Sequence, residues 1–222
     1  MRTLDDILAI SAERKGSEAA VLSGVEPSAT AQELTKVPDH RWLAQMTRSV
    51  FQAGFNWKVV DNMWPGFEEA FHGFDVGRCV MMSEDWFDEL CANTAIVRYP
   101  QKIWSVQQNA VFIQEQAAMH GSFGQMIANW PADDFAGLLE MLKKDGTRLG
   151  GSTGQYFLRF MGVDGYILSR DVVARLIAEG VIDKAPTSKS AMKAVQSAMN
   201  TWSEDSGRSL KEISRILATS CG

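Results

Sequence analysis

With 222 residues, 45% of them hydrophobic and 22% charged, the chain can bury a core in one sizeable domain or two small lobes, and it has no run of about 18 apolar residues able to span a bilayer. A net charge of −5 argues against a nucleic-acid partner when taken over the whole chain, but residues 1–140 carry 10 Lys+Arg against 19 Asp+Glu while residues 141–222 carry 12 against 8, so the second segment alone has the sign that a phosphate backbone favours. Cys79, Cys91 and Cys221 are odd in number and too scattered for a disulfide framework or a zinc knuckle, and the start MRTLDDILAISAERKG places acids where a signal peptide needs a basic head, so the sequence predicts a cytoplasmic protein.

In chain order, residues 1–37 predict a short helix near Leu4–Ser11 and then irregular structure through Gly16, Gly24 and Pro27, a variable segment ahead of a helical domain over 38–222. Trp42, Met46, Val50 and Ala53 recur at steps of four and three, one apolar face of a helix that Asp39 could cap and Gly54 could end. Phe67, Ala70, Phe71 and Phe74 repeat the spacing, as do Phe87, Leu90 and Cys91, and then Ile103, Val106, Ala110 and Ile113, with Pro65, Pro100 and Pro131 at the junctions. Phe135, Leu138, Leu139 and Leu142 lead into a glycine-rich hairpin at about 146–161, with a helix from Gln155 to Met161. Two C-terminal helices over 187–218 follow. The first starts at Thr187 or Ser188 with Ala191, Val195, Ala198 and Trp202 inward; the second starts at the capping box Ser209–Glu212 with Ile213, Ile216 and Leu217 inward. No alternating strand, repeat or low-complexity tract interrupts the pattern, and the fold class is all-α.

Two segments carry candidate chemistry. Gly150-Gly151-Ser152-Thr153 lies at the entry of a helix, where exposed backbone N–H groups can take a phosphate; glycines that merely tighten a helical hairpin explain the same spacing. The run Gln52-Ala53-Gly54-Phe55-Asn56-Trp57 can end a helix and present an indole at the rim of a cleft, although most of seven tryptophans in a helical chain belong to its core.

The run QAGFNW, with FEEAFHGFD, IVRYPQKI and the Asn109-Ala110 pair after it, is similar to the pattern of DNA-3-methyladenine glycosylase I, and GGSTGQYFLRFMG resembles that family's helix-hairpin-helix element, followed by ILSRDVV. The resemblance covers roughly residues 40–175. It implies a helix-hairpin-helix DNA glycosylase fold with two helical lobes around a cleft, and a monofunctional enzyme that removes 3-methyladenine or a related alkylated base from double-stranded DNA, acting as a monomer without a cofactor. By position, Trp57 inherits the role of stacking on the flipped base, with Gln52 and Phe55 beside it and Gly54 near the DNA, while Gly150, Gly151, Ser152 and Thr153 would grip phosphates.

The sequence departs from that family at the base-reading glutamate and at the zinc, and two further positions compare with the wider superfamily. The position five before Gly54, where the bacterial enzymes carry a base-reading glutamate, is Ser49, which can hydrogen-bond a base but brings no charge. The family's zinc, held by two cysteines and two histidines, lacks partners here, since His40, His72 and His120 all fall before the last hundred residues and no cysteine falls in the first seventy; no metal is expected. Gln155 falls where lyases of the wider superfamily place a Schiff-base lysine. The superfamily's catalytic aspartate falls near Ser169, which leaves Asp171 as a stand-in, or as a helix-terminal cap or dipole partner. Two other readings stay open: a non-catalytic DNA-damage-binding protein on the same scaffold, and a helical protein–protein module using Trp64, Trp86 and Trp104 as exposed anchors.

Overall fold

The computed structural model describes residues 1–221. Among these the regular structure is helical: α1 (Leu4–Lys15), α2 (Glu18–Leu22), α3 (Ala31–Lys36), α4 (Asp39–Gln52), α5 (Trp57–Asn62), α6 (Trp64–Ala70), a 3-10 turn (His72–Phe74), α7 (Val76–Val80) and α8 (Glu84–Ala92). Then follow α9 (Pro100–His120), α10 (Phe123–Ala128), α11 (Phe135–Asp145), α12 (Ser152–Phe160), α13 (Arg170–Ala178), α14 (Lys189–Ser206) and α15 (Leu210–Ser220). The chain forms two compact units, one of residues 1–28, 131–138 and 162–222, the other of residues 29–130 and 139–161; α11 gives its first turn to the first and the rest to the second.

The larger unit is arranged around α9, whose inner face is Ile103, Val106, Ala110 and Ile113, as the periodicity predicts. On it pack α4, through Trp42, Met46 and Val50, together with α7 and α10, while α12 packs on α4. Trp42 is completely buried, with its ring 5.4 Å from Phe123 and 6.0 Å from Phe157, and its indole N–H donates to the Val37 carbonyl at 3.2 Å. A buried indole that keeps its one donor satisfied combines a large apolar burial with no polar penalty. Ala53 is exposed, because α4 ends at Gln52 and the chain turns away there.

Three expectations change. Residues 1–37 hold three helices rather than one, because Ser17 and Thr30 each cap a further helix; the Thr30–Glu33 capping box closes both of its hydrogen bonds. Asp39 does not cap α4, whose N-cap is Pro38; its carboxylate instead accepts from the backbone N–H of Phe123 at 2.9 Å, the first residue of α10. The tryptophans named as exposed anchors are mostly packed. Trp64 lies nearly parallel to Phe67 and Phe74 and donates to Glu68 at 2.9 Å, and Trp86 rests against Phe71 and His72; Trp104 is 48% exposed.

In the smaller unit α15 packs on α1, α2, α13 and α14. Its core joins Ile7 and Leu8 of α1 to Trp202, Ile213, Ile216 and Leu217, and Ser188 and the Ser209–Glu212 box cap α14 and α15 as the sequence predicts. The chain ends are tied through polar groups. Glu179, 2% exposed at its side chain, accepts from the Arg2 backbone N–H and guanidinium, both at 2.8 Å, and from Arg175 at 3.3 Å. Arg175 in turn donates to the Ser220 hydroxyl and carbonyl, both at 2.7 Å, and Trp202 donates to the Arg2 carbonyl at 3.0 Å.

No group of three or more His, Cys, Asp or Glu is placed to hold a metal ion among the described residues, so the donor set does not fit the zinc that the family resemblance brings to mind. The Arg2–Glu179–Arg175–Ser220 chain occupies the role of tying first and last helices. No helix among the described residues is long and apolar enough to cross a membrane.

Candidate active site

In the larger unit two side chains of α9, seven residues and therefore two turns apart, hold the two segments singled out by sequence. Lys102 donates its ammonium to the carbonyls of Phe51 (3.2 Å) and Ala53 (2.8 Å), closing the C-terminal end of α4. Asn109, buried, donates to the Thr147 carbonyl at 3.1 Å and accepts from the Thr147 N–H at 2.8 Å, which pins the hairpin turn. One rigid helix thus spaces the QAG turn from the glycine hairpin.

After α4 the chain reverses at Gly54, with φ +69, and Asn56 caps α5 by accepting from Lys58 N–H at 3.0 Å. Trp57 is then the first residue of α5. Its indole is 40% exposed and is held edge-on by Tyr156 (5.2 Å, 88°) and Phe160 (5.8 Å, 72°), one turn apart on α12. Tyr156 and Phe160 are residues that sequence reasoning missed, and their i, i+4 spacing was the signal that could have found them. Phe55, 45% exposed, stands just before it.

Helix α12 begins at Ser152, three residues earlier than the sequence predicts. Gly151 takes φ +60 and ψ −138, a backbone that other residues avoid, and swings the chain into the helix. No side chain caps it, so the first amides of α12, at exposed Ser152 and half-buried Thr153, keep their donors for an outside acceptor. Two residues on, a Cβ at Gly154 would collide with the Leu149 carbonyl oxygen, which is why glycine is required at that crossing. Gln155 is buried on the inner side of α12.

Around Gln52 lies a second feature absent from the sequence reading. Gln52, buried at the end of α4, donates its amide N–H to Asp61 of α5 at 2.9 Å, and the same carboxylate oxygen accepts from Arg48 Nε at 2.9 Å and from its terminal nitrogen at 2.7 Å. A carboxylate only accepts, so the Gln52 amide must face it with NH2 and keeps its carbonyl oxygen as the free acceptor. Ser49 is 4% exposed, and its hydroxyl oxygen takes a bond from Gln45, one turn earlier, at 3.2 Å. Charge here is balanced: Asp61 is matched by Arg48, whose guanidinium also lies 5.2 Å from the Trp64 ring centroid.

Residues 35–144, the span holding the QAG turn, Asp61 and the pinning helix α9, match the model of the methyladenine glycosylase family. The chain is a divergent member of that family. Its fold is the helix-hairpin-helix DNA glycosylase fold: the 3-methyladenine DNA glycosylase I of Staphylococcus aureus superposes with a TM-score of 0.51 at 20% identity, over 56% of this chain and 77% of that one. The 8-oxoguanine DNA glycosylases of Methanocaldococcus jannaschii (TM-score 0.57, 15% identity, 96% and 92% of the two chains) and Thermotoga maritima (0.52, 16%, 96% and 95%) match nearly end to end. No curated protein sequence matches the chain significantly.

Within this methyladenine glycosylase family member, the larger unit carries Ser49, Gln52, Gly54, Phe55, Trp57 and the hairpin residues 150–153. Asp171 belongs to the smaller unit. It is exposed, at the second position of α13, and the cap of that helix is Ser169, which accepts from Val172 N–H at 3.3 Å. Asp171 therefore sits as a first-turn acid favoured by the helix dipole, with its carboxylate free of the capping bond.

Proposed function

We propose that the protein is a monofunctional DNA glycosylase that removes 3-methyladenine or a related alkylated base from double-stranded DNA, working in the cytoplasm as a monomer. The observation that carries this reading is Trp57, a partly exposed indole braced by Tyr156 and Phe160 on the hairpin helix itself. A base alkylated at N3 is cationic, and an electron-rich ring offers it attraction that a neutral base does not receive. Flipping costs a few kcal/mol and least for damaged bases, so stacking on Trp57 selects as well as holds. The free Gln52 carbonyl supplies an acceptor for an exocyclic amino group, and Phe55 supplies a second apolar contact.

Ser49 adds no charge, and Asp61 is neutralised by Arg48, so selection of a cation rests on π-electron density rather than on a carboxylate. In the reaction the C1′–N bond breaks, its electron pair leaves with the alkylated base, and water adds to C1′ with loss of a proton. Asp171 is the acid assigned to orient that water. Gln155 has no amine with which to form a Schiff base, so strand cleavage is not part of the reaction.

The deciding experiment measures base release from methylated duplex DNA by chromatography, alongside binding to DNA with an abasic-site analogue. Release with binding supports the enzyme. Binding without release supports a non-catalytic damage-binding protein, a reading favoured by the burial and internal bonding of Ser49. Asp171→Asn is expected to reduce release roughly a hundredfold at unchanged affinity for abasic DNA, in line with loss of a general base; full activity in that variant removes Asp171 from the mechanism.

Asp61 is a positioning residue in this scheme. Asp61→Asn frees the Gln52 amide to turn and should slow release about fivefold, the worth of one hydrogen bond near 1 kcal/mol, with Asp61→Glu restoring it. A loss matched between 3-methyladenine and a lesion without an exocyclic amino group would show that the Gln52 acceptor is not read.

A further inference from the structure

Tyr99, the N-cap residue of α9, carries two cations on its ring: Lys102 Nζ lies 5.5 Å from the centroid and the Arg148 guanidinium carbon 5.7 Å. Two like charges held beside one ring repel, and neither forms an ion pair with a carboxylate among the described residues. The local excess of positive charge is built into a chain whose net charge is negative. Burial, and then the charge of Arg148, hold the Lys102 pKa below the ordinary lysine value.

The donors available at this place are countable. Lys102 spends two N–H bonds on Phe51 and Ala53, and a lysine ammonium has three, so one remains. Arg148 is exposed, with its fork-shaped set of N–H donors, and its backbone takes φ +63, a conformation a side-chain-bearing residue rarely adopts. It lies two residues before Gly150. Next to that glycine runs the Lys143 stem, whose Cγ would be 3.2 Å from a Cβ built there, so a further cation flanks the same turn. The C-terminal end of α4, which carries partial negative charge and would repel a phosphate, is covered by the Lys102 ammonium.

We propose that Lys102 and Arg148 form a clamp for one phosphodiester group of the bound DNA, a site separate from the amides of α12. The clamp rests on the reading of the protein as a DNA binder, and it does not depend on catalysis. It uses the third N–H of Lys102 and the guanidinium of Arg148, with Tyr99 setting the direction of both.

The test is the salt dependence of binding of the full chain to a duplex with an abasic-site analogue. Each phosphate neutralised contributes a slope of about −0.9 to log Kobs against log salt concentration, so Arg148→Ala should lower the magnitude of the slope by about 0.9 and weaken binding roughly three- to tenfold at low salt. Arg148→Lys should keep most of the slope. Arg148→Gly removes the charge and relieves the positive φ, so it should reproduce the Arg148→Ala loss without lowering thermal stability.

An unchanged slope and affinity in Arg148→Ala and Arg148→Gly, with a wild type that binds, overturns the clamp. Absence of DNA binding by the wild type overturns the clamp together with the DNA reading. Binding without base release, with the slope reduced by Arg148→Ala, keeps the clamp and removes only the glycosylase activity.

Discussion

Trp57→Ala is expected to cut release of 3-methyladenine from methylated duplex DNA by roughly ten- to a hundredfold, because base–aromatic stacking contributes about 1–3 kcal/mol and the variant removes all of it. The fold should persist, since the indole is 40% exposed and its packing partners Tyr156 and Phe160 stay anchored on α12. Helicity by circular dichroism and the thermal midpoint should therefore change little. Trp57→Phe keeps a weaker ring and should fall between the two. The exposure matters here: a residue left 40% open keeps surface available to a flipped base. Wild-type release in the alanine variant would remove Trp57 from the site and leave the hairpin amides and the Lys102–Arg148 pair as the remaining candidate DNA contacts.

Glu179→Ala should have the largest effect on stability. The carboxylate is 2% exposed at its side chain and is shared by Arg2 and Arg175, of which Arg175 is itself buried, so its removal strands a guanidinium in the interior. Breaking a buried pair in this way costs about 3 kcal/mol or more. For a chain of this length that is a fall of roughly 10 °C in the thermal midpoint. Base release by the surviving folded fraction should be unaffected, which separates this variant from Trp57→Ala.

The same carboxylate makes stability depend on pH with a defined sign. Burial raises the Glu179 pKa, but the bonds from the Arg2 N–H, the Arg2 guanidinium and Arg175 together outweigh it and hold the carboxyl below the usual glutamate value. A group whose folded pKa is depressed stabilises the fold above its unfolded pKa, and that contribution disappears as pH falls through the folded one. Thermal midpoints should therefore decline below about pH 4.5, near the ordinary carboxyl range. Glu179→Gln should flatten that decline; an identical acid profile in the variant would place the acid sensitivity elsewhere.

Much of the fold is readable from side-chain spacing. The faces of α4, α9, α11 and α15, the cap at Ser188 and the box at Ser209–Glu212 all follow from periodicity and capping chemistry, which are local and cooperative within a turn or two. Where local signals were short the reading failed: α2 and α3 span five and six residues, too few for a periodic face, although the Thr30–Glu33 box was visible. Asp39 shows the other limit, since a cap residue can serve any helix start within reach, and here it serves α10, 84 positions away.

The opening resemblance depends on the same distinction. The sequence by itself determined that the chain is helical and that its 35–144 segment follows the methyladenine glycosylase pattern, and it singled out Trp57, the hairpin glycines and Ser49 as candidates, because residue type and short-range spacing are encoded in the chain directly. Only the tertiary structure decided that Trp57 is braced by α12, that Asp61 sets the Gln52 amide, that Lys102 and Asn109 of one helix hold both turns, and that Glu179 ties the first helix to the last. Those are pairings between residues distant in sequence, and no local preference specifies a partner until packing has brought it within hydrogen-bonding distance.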